Sequence, residues 1–156
     1  MNSEPFPYTG VLAPANAAAV ILVSEDGRYL MQRRDDIRGI FYPGHLGVFG
    51  GACDGDETYE QAAVRELEEE LSLSLAGRLK YFTRMSFSFE PFGFGTVERV
   101  YYTATLTDQE IAAIRLGEGQ GLELIEAAHM LRNERVAPYD SFVLWQHCNV
   151  HNSKVR

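Results

Sequence analysis

The sequence predicts an α/β fold in which helices pack on a mixed β-sheet. Three observations lead there. Short β-rich runs alternate with helical patterns along the 156 residues, two capping-box patterns mark helix starts, and no repeat or Ser/Gly linker divides the chain. A single domain over residues 1–156 is therefore expected.

Taken in order, Ala17 to Val23 reads as a strand, Glu25-Asp26-Gly27 as its turn, and Tyr29 to Arg33 as the returning strand of a hairpin. Asp35 to Gly44 reads as a loop, and Leu46 to Phe49 as a short strand stopped by Gly50-Gly51. Thr58, followed three residues later by Gln61, opens a helix whose apolar stripe is Ala62, Ala63, Leu67 and Leu71. Two longer strands follow, about Arg78 to Phe89 and Thr96 to Leu106, joined through Pro91-Phe92-Gly93-Phe94-Gly95. Thr107 with Glu110 repeats the capping box. Leu122 to Ile125 reads as a last strand, Glu126 to Leu131 as a helical turn, and Ser141 to Cys148 as a closing helix.

Composition narrows the function classes. Met1 to Tyr8 holds Glu4 and two prolines and lacks the basic and apolar regions of a signal peptide. No apolar run approaches the ~20 residues that span a bilayer, so a soluble, cytoplasmic protein without a membrane partner is expected. Cys53 and Cys148 are too few and too far apart for a disulfide framework or a metal knuckle, and are expected as free thiols. A formal charge of -8 argues against long nucleic acid, whose binding rests on clustered Lys and Arg. It leaves room for a polyphosphate substrate if divalent cations stand between the like charges.

The chemistry concentrates in one stretch. Asp54, Asp56, Glu57, Glu60, Glu66, Glu68, Glu69 and Glu70 face a single base, Arg65. On a helix, Glu66, Glu69 and Glu70 share one arc, being i, i+3 and i+4, while Glu68 points away. Such crowding costs stability unless a cation sits among the carboxylates, and hard oxygen ligands suit Mg²⁺ or Mn²⁺. An amphipathic helix simply wetting its outer face is an equal reading of the helix alone. Upstream, Gly50-Gly51 allows a tight turn and close backbone approach. Glu57 stands at the helix entrance, where charge compensation of the helix N-terminus is the simpler explanation.

These residues resemble the Nudix signature: Gly, five residues, Glu, seven residues, then Arg-Glu-apolar-any-Glu-Glu-any-Gly-apolar. Gly51, Glu57, Arg65, Glu66, Leu67, Glu69, Glu70 and Leu73 fall in step. The one departure is Ser72 in place of the last Gly, at a helix end where Gly tolerates a left-handed backbone. The resemblance implies a Nudix-type α/β/α sandwich with a loop-helix-loop catalytic box, and a metal-dependent pyrophosphohydrolase. Glu66, Glu69 and Glu70 would hold the metal. Glu69 or Glu66 would also polarise the attacking water, and Arg65 would hold Glu57 and orient the other carboxylates.

Weaker likenesses extend beyond the box. Gln32-Arg33-Arg34 resembles the family's opening strands, so Arg33 or Arg34 could meet a substrate phosphate, with a solvated strand end as the alternative. Glu118-Gly119-Gln120 resembles a segment that supplies a further metal-binding glutamate; Glu118 is the candidate, with Glu98 and Glu123 as rivals. Pro138-Tyr139-Asp140 resembles a place of base recognition, though Asp140 serves equally as a helix cap. Gly50 and Gly51 would border the substrate. Phe41, Tyr42, Phe87, Phe89, Phe92 and Phe94 are available to stack on a base or to fill the core. Leu46 and Phe49 depart from the Trp and Pro that many members carry. His45 and His129 have no paired spacing for a metal, and no Ser or Cys nucleophile motif occurs.

The expected substrate is a small nucleotide, a nucleoside triphosphate or a related nucleoside diphosphate derivative. A nucleotide sugar, a dinucleoside polyphosphate or a non-nucleotide diphosphate is the alternative for the same box. A nucleotide-sensing module without catalysis is a third reading, against which the intact carboxylates argue. A homodimer is the assembly that general frequency favours.

Overall fold

The computed structural model describes residues 14–132 and 135–152. The expectation about Met1 to Tyr8 lies outside them. The elements are β1 (Ala17–Ser24), β2 (Tyr29–Arg33), β3 (Leu46–Gly47), β4 (Phe49–Ala52), α1 (Tyr59–Leu71), β5 (Lys80–Ser88), β6 (Thr96–Leu106), α2 (Asp108–Ala113), β7 (Gly121–Ile125), α3 (Ala127–Met130) and α4 (Pro138–Asn152). A 3₁₀ turn, Glu90–Phe92, joins β5 to β6 and closes on Gly93.

The sheet runs β3-β2-β1-β6-β5, with β4 added to β1 and β7 to β2. β1 lies parallel to β6 and antiparallel to β2 and β4, so the sheet is mixed, as expected. Strand β1 is apolar on both faces because both are covered. Ala18, Val20 and Leu22 pack beneath Ala62, Ala63, Leu67 and Leu71 of α1. Ala19 and Ile21 pack beneath Val143, Leu144 and Cys148 of α4. A strand buried on both sides reads as a continuous apolar run, whereas one-sided strands alternate. The result is an α/β/α sandwich.

The predicted caps form. Thr58 accepts from the Gln61 amide while Gln61 reaches back to the Thr58 backbone, and Thr107 and Glu110 repeat the arrangement. Ser72 closes α1 in the left-handed region, at φ 54° and ψ 37°. It therefore does the geometric task that Gly performs more cheaply.

Two boundaries differ in ways that matter for the site. The strand expected over Leu46 to Phe49 is two pieces, and Gly50-Gly51 does not end it: both glycines pair with β1, opposite Ala19 and Ala18. Gly50, at φ 129°, is the means. A Cβ there would stand 2.2 Å from the Ala18 carbonyl oxygen, so only glycine lets β4 close on β1. The last helix begins at Pro138 rather than Ser141, since Pro supplies helical φ and needs no amide partner in a first turn. Asp140 thus lies within that turn and is not its cap. Cys53 is half-buried, Cys148 is buried, and both are free. Among the described residues no helix is long and apolar enough to cross a membrane.

Candidate active site

Helix α1 brings core and site together. Leu67 and Leu71 face the sheet, and the same rotation of the helix turns Glu66 and Glu70 toward β4. Glu70 is only 5% exposed. The Gly50 amide donates to its Oε2 at 2.9 Å and the Gln32 side-chain amide to its Oε1 at 3.2 Å. Burial raises its pKa to about 7; the Gly50 hydrogen bond works against that rise, and the charges of Glu66 and Glu118 add to it. Glu66 is raised in the same direction, again by burial, with Arg65 opposing. Its carboxylate lies against the Gly51 backbone: a Cβ on Gly51 would stand 2.4 Å from Glu66 Oε1.

Arg65 gathers the remaining acids. Its Nε and Nη2 donate to the two oxygens of Glu57 at 2.8 and 3.0 Å, a bidentate pair that needs the loop folded back on the helix. Nη2 also reaches the Ala52 carbonyl at 3.0 Å, and Nη1 reaches Glu66 at 2.9 Å and Glu69 at 3.3 Å. The guanidinium holds the Glu57 carboxyl down at about 2. Glu69 is the most exposed of the three helix carboxylates, and Glu68 turns away to accept from Ser74.

The Glu118 segment is strapped across this site. The Gly117 amide donates to the Glu70 carbonyl at 2.7 Å, the Gln120 amide to the Arg33 carbonyl at 2.8 Å, and Gln32 Nε2 to the Glu118 carbonyl at 3.2 Å. Gly117 is required for this approach, since a Cβ on it would come within 2.1 Å of the Glu69 carbonyl oxygen. The Glu118 carboxylate is close enough for its charge to disfavour ionisation of Glu66 and Glu70. Its rivals are engaged elsewhere. Glu98 accepts from the Tyr59 hydroxyl at 3.1 Å and stands 3.6 Å from Arg84, and Glu123 pairs with Arg33.

Of the basic candidates, Arg33 also donates to the Gly44 carbonyl and Arg34 to the Phe41 carbonyl. Asp140 is fully buried, accepting from the Val48 amide and the Tyr101 hydroxyl at 3.1 Å each, with Arg99 at 3.6 Å. The Arg99 guanidinium lies over the rings of Tyr101 and Tyr139. Both carboxylate oxygens of Asp140 are thus directed inward, and Arg99 is the group it holds. Gln32 and Arg99 are the two residues that sequence reasoning passed over. For Gln32 the available signal was a polar side chain after the apolar run Tyr29 to Met31 of β2, whereas β6, with Thr96, Glu98, Thr103 and Thr105, gave Arg99 no such contrast.

Oxygen is the only donor type that Glu66, Glu69, Glu70 and Glu118 offer, and it suits a hard divalent cation. Among the described residues no three acidic, histidine or cysteine side chains are gathered closely enough to cage an ion. Glu66 and Glu69 are turned to Arg65, and Glu70 to Gly50 and Gln32. The donor set fits a metal by its chemistry, and the crowding of half-buried carboxylates is what such an ion would relieve.

Comparison with known proteins places the fold and the family. A family model described as the NUDIX domain matches residues 13–146. The nucleoside triphosphatase NudI of Escherichia fergusonii is 34% identical over 91 residues, covering 56% of this chain and 62% of that one. The chain spans less than two thirds of the length of the curated relatives first matched. A mutT/nudix family protein from Listeria innocua superposes with a TM-score of 0.71 at 21% identity, over 93% of this chain and 98% of that one. The NUDIX domain of Shewanella oneidensis NrtR, solved with ADP ribose, gives 0.68 at 18% identity over 89% of each.

Proposed function

The chain belongs to the NUDIX domain family, and from that premise we propose that it is a metal-dependent hydrolase cleaving a phosphoanhydride bond in a nucleoside triphosphate or a related nucleoside diphosphate derivative. One observation carries the reading: Glu66 and Glu70 are packed against the glycine backbone of β4, Glu69 stands beside them, and Glu118 is strapped alongside. A divalent ion, Mg²⁺ or Mn²⁺, held by Glu66, Glu69, Glu70 and Glu118 would neutralise the phosphates and lower the pKa of a bound water.

The protein's own groups set up the rest. Arg65 holds Glu57 and aligns Glu66 and Glu69 from behind, so its role is orientation. Glu69 or Glu66 accepts the proton of the attacking water. The water oxygen bonds to one phosphorus of the anhydride, the bond from that phosphorus to the bridging oxygen breaks, and the leaving phosphate or nucleotide carries away the electron pair on that oxygen. Gly50 and Gly51 keep the backbone low beside the substrate. Arg33 and Arg34 border the phosphate side. The reading puts the protein in the cytoplasm, on a small-molecule substrate.

The test is release of phosphate and pyrophosphate from nucleoside triphosphates, oxidised nucleotides, nucleotide sugars and dinucleoside polyphosphates, with Mg²⁺, Mn²⁺ or chelator. Cleavage of one class that chelator stops and Glu70→Gln abolishes is expected. Nucleotide binding without cleavage anywhere in the panel would replace the hydrolase with a sensor.

A further inference from the structure

The geometry points to Gln32 as a positioning residue that joins the Glu118 segment to Glu70, so that carboxylates from two separate parts of the chain present themselves as one metal-binding unit. The inference rests on the hydrolase reading above. Gln32 is 4% exposed and sits at the inward end of β2. Its single amide nitrogen donates to Glu70 Oε1 and to the Glu118 carbonyl oxygen, both at 3.2 Å. A primary amide has two N–H donors, and these two contacts use both.

Neither a carboxylate nor an apolar side chain does this at that place. A carboxylate would repel Glu70, and an apolar side chain would leave two acceptors without donors, one of them on a buried charged group. The surrounding backbone is cut to admit the amide. Gly119, at φ 84°, would bring a Cβ to 2.8 Å from the Arg33 carbonyl oxygen, and to 3.0 and 3.2 Å from Gln32 Cγ and Cδ. The strap carries backbone bonds on either side of Gln32, Gly117 to Glu70 and Gln120 to Arg33. Those bonds fix the path of the loop; the Gln32 amide fixes the carbonyl of Glu118 itself relative to the carboxylate of Glu70.

A buried glutamine that merely satisfies its neighbours would affect stability alone. A positioning residue affects how the site takes metal. The experiment titrates Mn²⁺ against the thermal midpoint of the full chain, with no nucleotide present, for wild type, Gln32→Leu, Glu118→Gln and the double variant. Nucleotide KM is measured alongside. Gln32→Leu should raise the Mn²⁺ concentration for half-maximal shift about tenfold, the scale on which groups behind metal ligands act, with little change in KM. The double variant should need no more Mn²⁺ than the weaker-binding single variant, because both changes remove one contribution.

An unchanged half-saturation in Gln32→Leu, or single effects that multiply in the double variant, would overturn the assignment. Gln32→Met, flexible enough to fill the same space, replaces Gln32→Leu if the latter does not fold. A wild type that neither shifts with Mn²⁺ nor cleaves any nucleotide would remove the hydrolase reading and this one together. A wild type that does both, beside an indifferent Gln32→Leu, would remove this one alone.

Discussion

The carboxylate of Glu66 occupies the space that a side chain on Gly51 would need, with 2.4 Å between Glu66 Oε1 and the position of a Cβ. The obstructing atom is the far end of a flexible side chain, whereas at Gly50 it is the Ala18 backbone. Gly51→Ala should therefore change the urea-unfolding free energy by no more than about 1 kcal/mol, and lower turnover roughly 10–100-fold by displacing Glu66. Gly50→Ala should instead lose about 2–3 kcal/mol in urea unfolding, from backbone strain. Equal stability losses in the two variants would contradict this division.

Metal-free protein should lose stability as pH rises toward neutrality. Glu70 keeps its proton in the folded state up to about 7, against an ordinary value of 4.5. The folded chain thus binds more protons than the unfolded chain between those values. The contribution is fully present below 4.5 and is lost as pH climbs through 7, by roughly 3 kcal/mol over the window. Urea unfolding in chelator at pH 5 and pH 7.5 should show the decline in wild type and a smaller one in Glu70→Gln, where Glu66 alone still titrates upward. A wild-type profile that is flat or rises would refute it.

Glu57 acts with the opposite sign. Arg65 holds its carboxyl at about 2, so its stabilisation is present above the ordinary carboxylate range and disappears as pH falls through 2. Glu57→Gln should flatten the acid limb of a pH-stability curve without touching the decline near pH 7. Arg65→Lys should also impair catalysis, since an ammonium cannot make the bidentate pair while reaching Glu66 and Glu69.

Removing Asp140 should destabilise the chain by about 3–5 kcal/mol, because Arg99 keeps its burial and loses its charge partner. Asp140→Ala should shift the urea midpoint on that scale, and adding Arg99→Met should recover part of the loss. Failure of the second change to recover anything would mean that Asp140 matters chiefly through Val48 and Tyr101.

Ser72→Gly should stabilise by about 1 kcal/mol, since Ser72 is held at φ 54°. Activity should not change. A destabilised variant would show that the serine side chain, and not the backbone at the end of α1, decides this position.

How far the sequence could be read follows from the range of each interaction. The start of α1 was legible because Thr58 and Gln61 cap each other three residues apart, and its end because Ser72 stands where a left-handed residue was needed. The shared face of Glu66, Glu69 and Glu70 follows from helical geometry alone. The bidentate hold of Arg65 on Glu57 depends on the loop folding back, which no local pattern specifies. Glycine read as strand punctuation was misleading at Gly50-Gly51, where close approach to β1 at Gly50 and to the Glu66 carboxylate at Gly51 was the reason for it. Arg33 finds Glu123, Gln32 finds Glu118, and Asp140 finds Val48 only through the sheet and its crossings, 86 to 92 residues away along the chain.

Helix α1 serves two surfaces from one set of turns: Leu67 and Leu71 belong to the core, and Glu66 and Glu70 to the site. A single inserted or deleted residue in mid-helix would rotate everything beyond it by ~100°. That would carry carboxylates toward the apolar layer and leucines toward the phosphate side. Length change in this helix is thereby barred twice over, and descendants of the chain can vary here only by substitution, while the exposed Glu90–Phe92 turn remains free to grow or shrink.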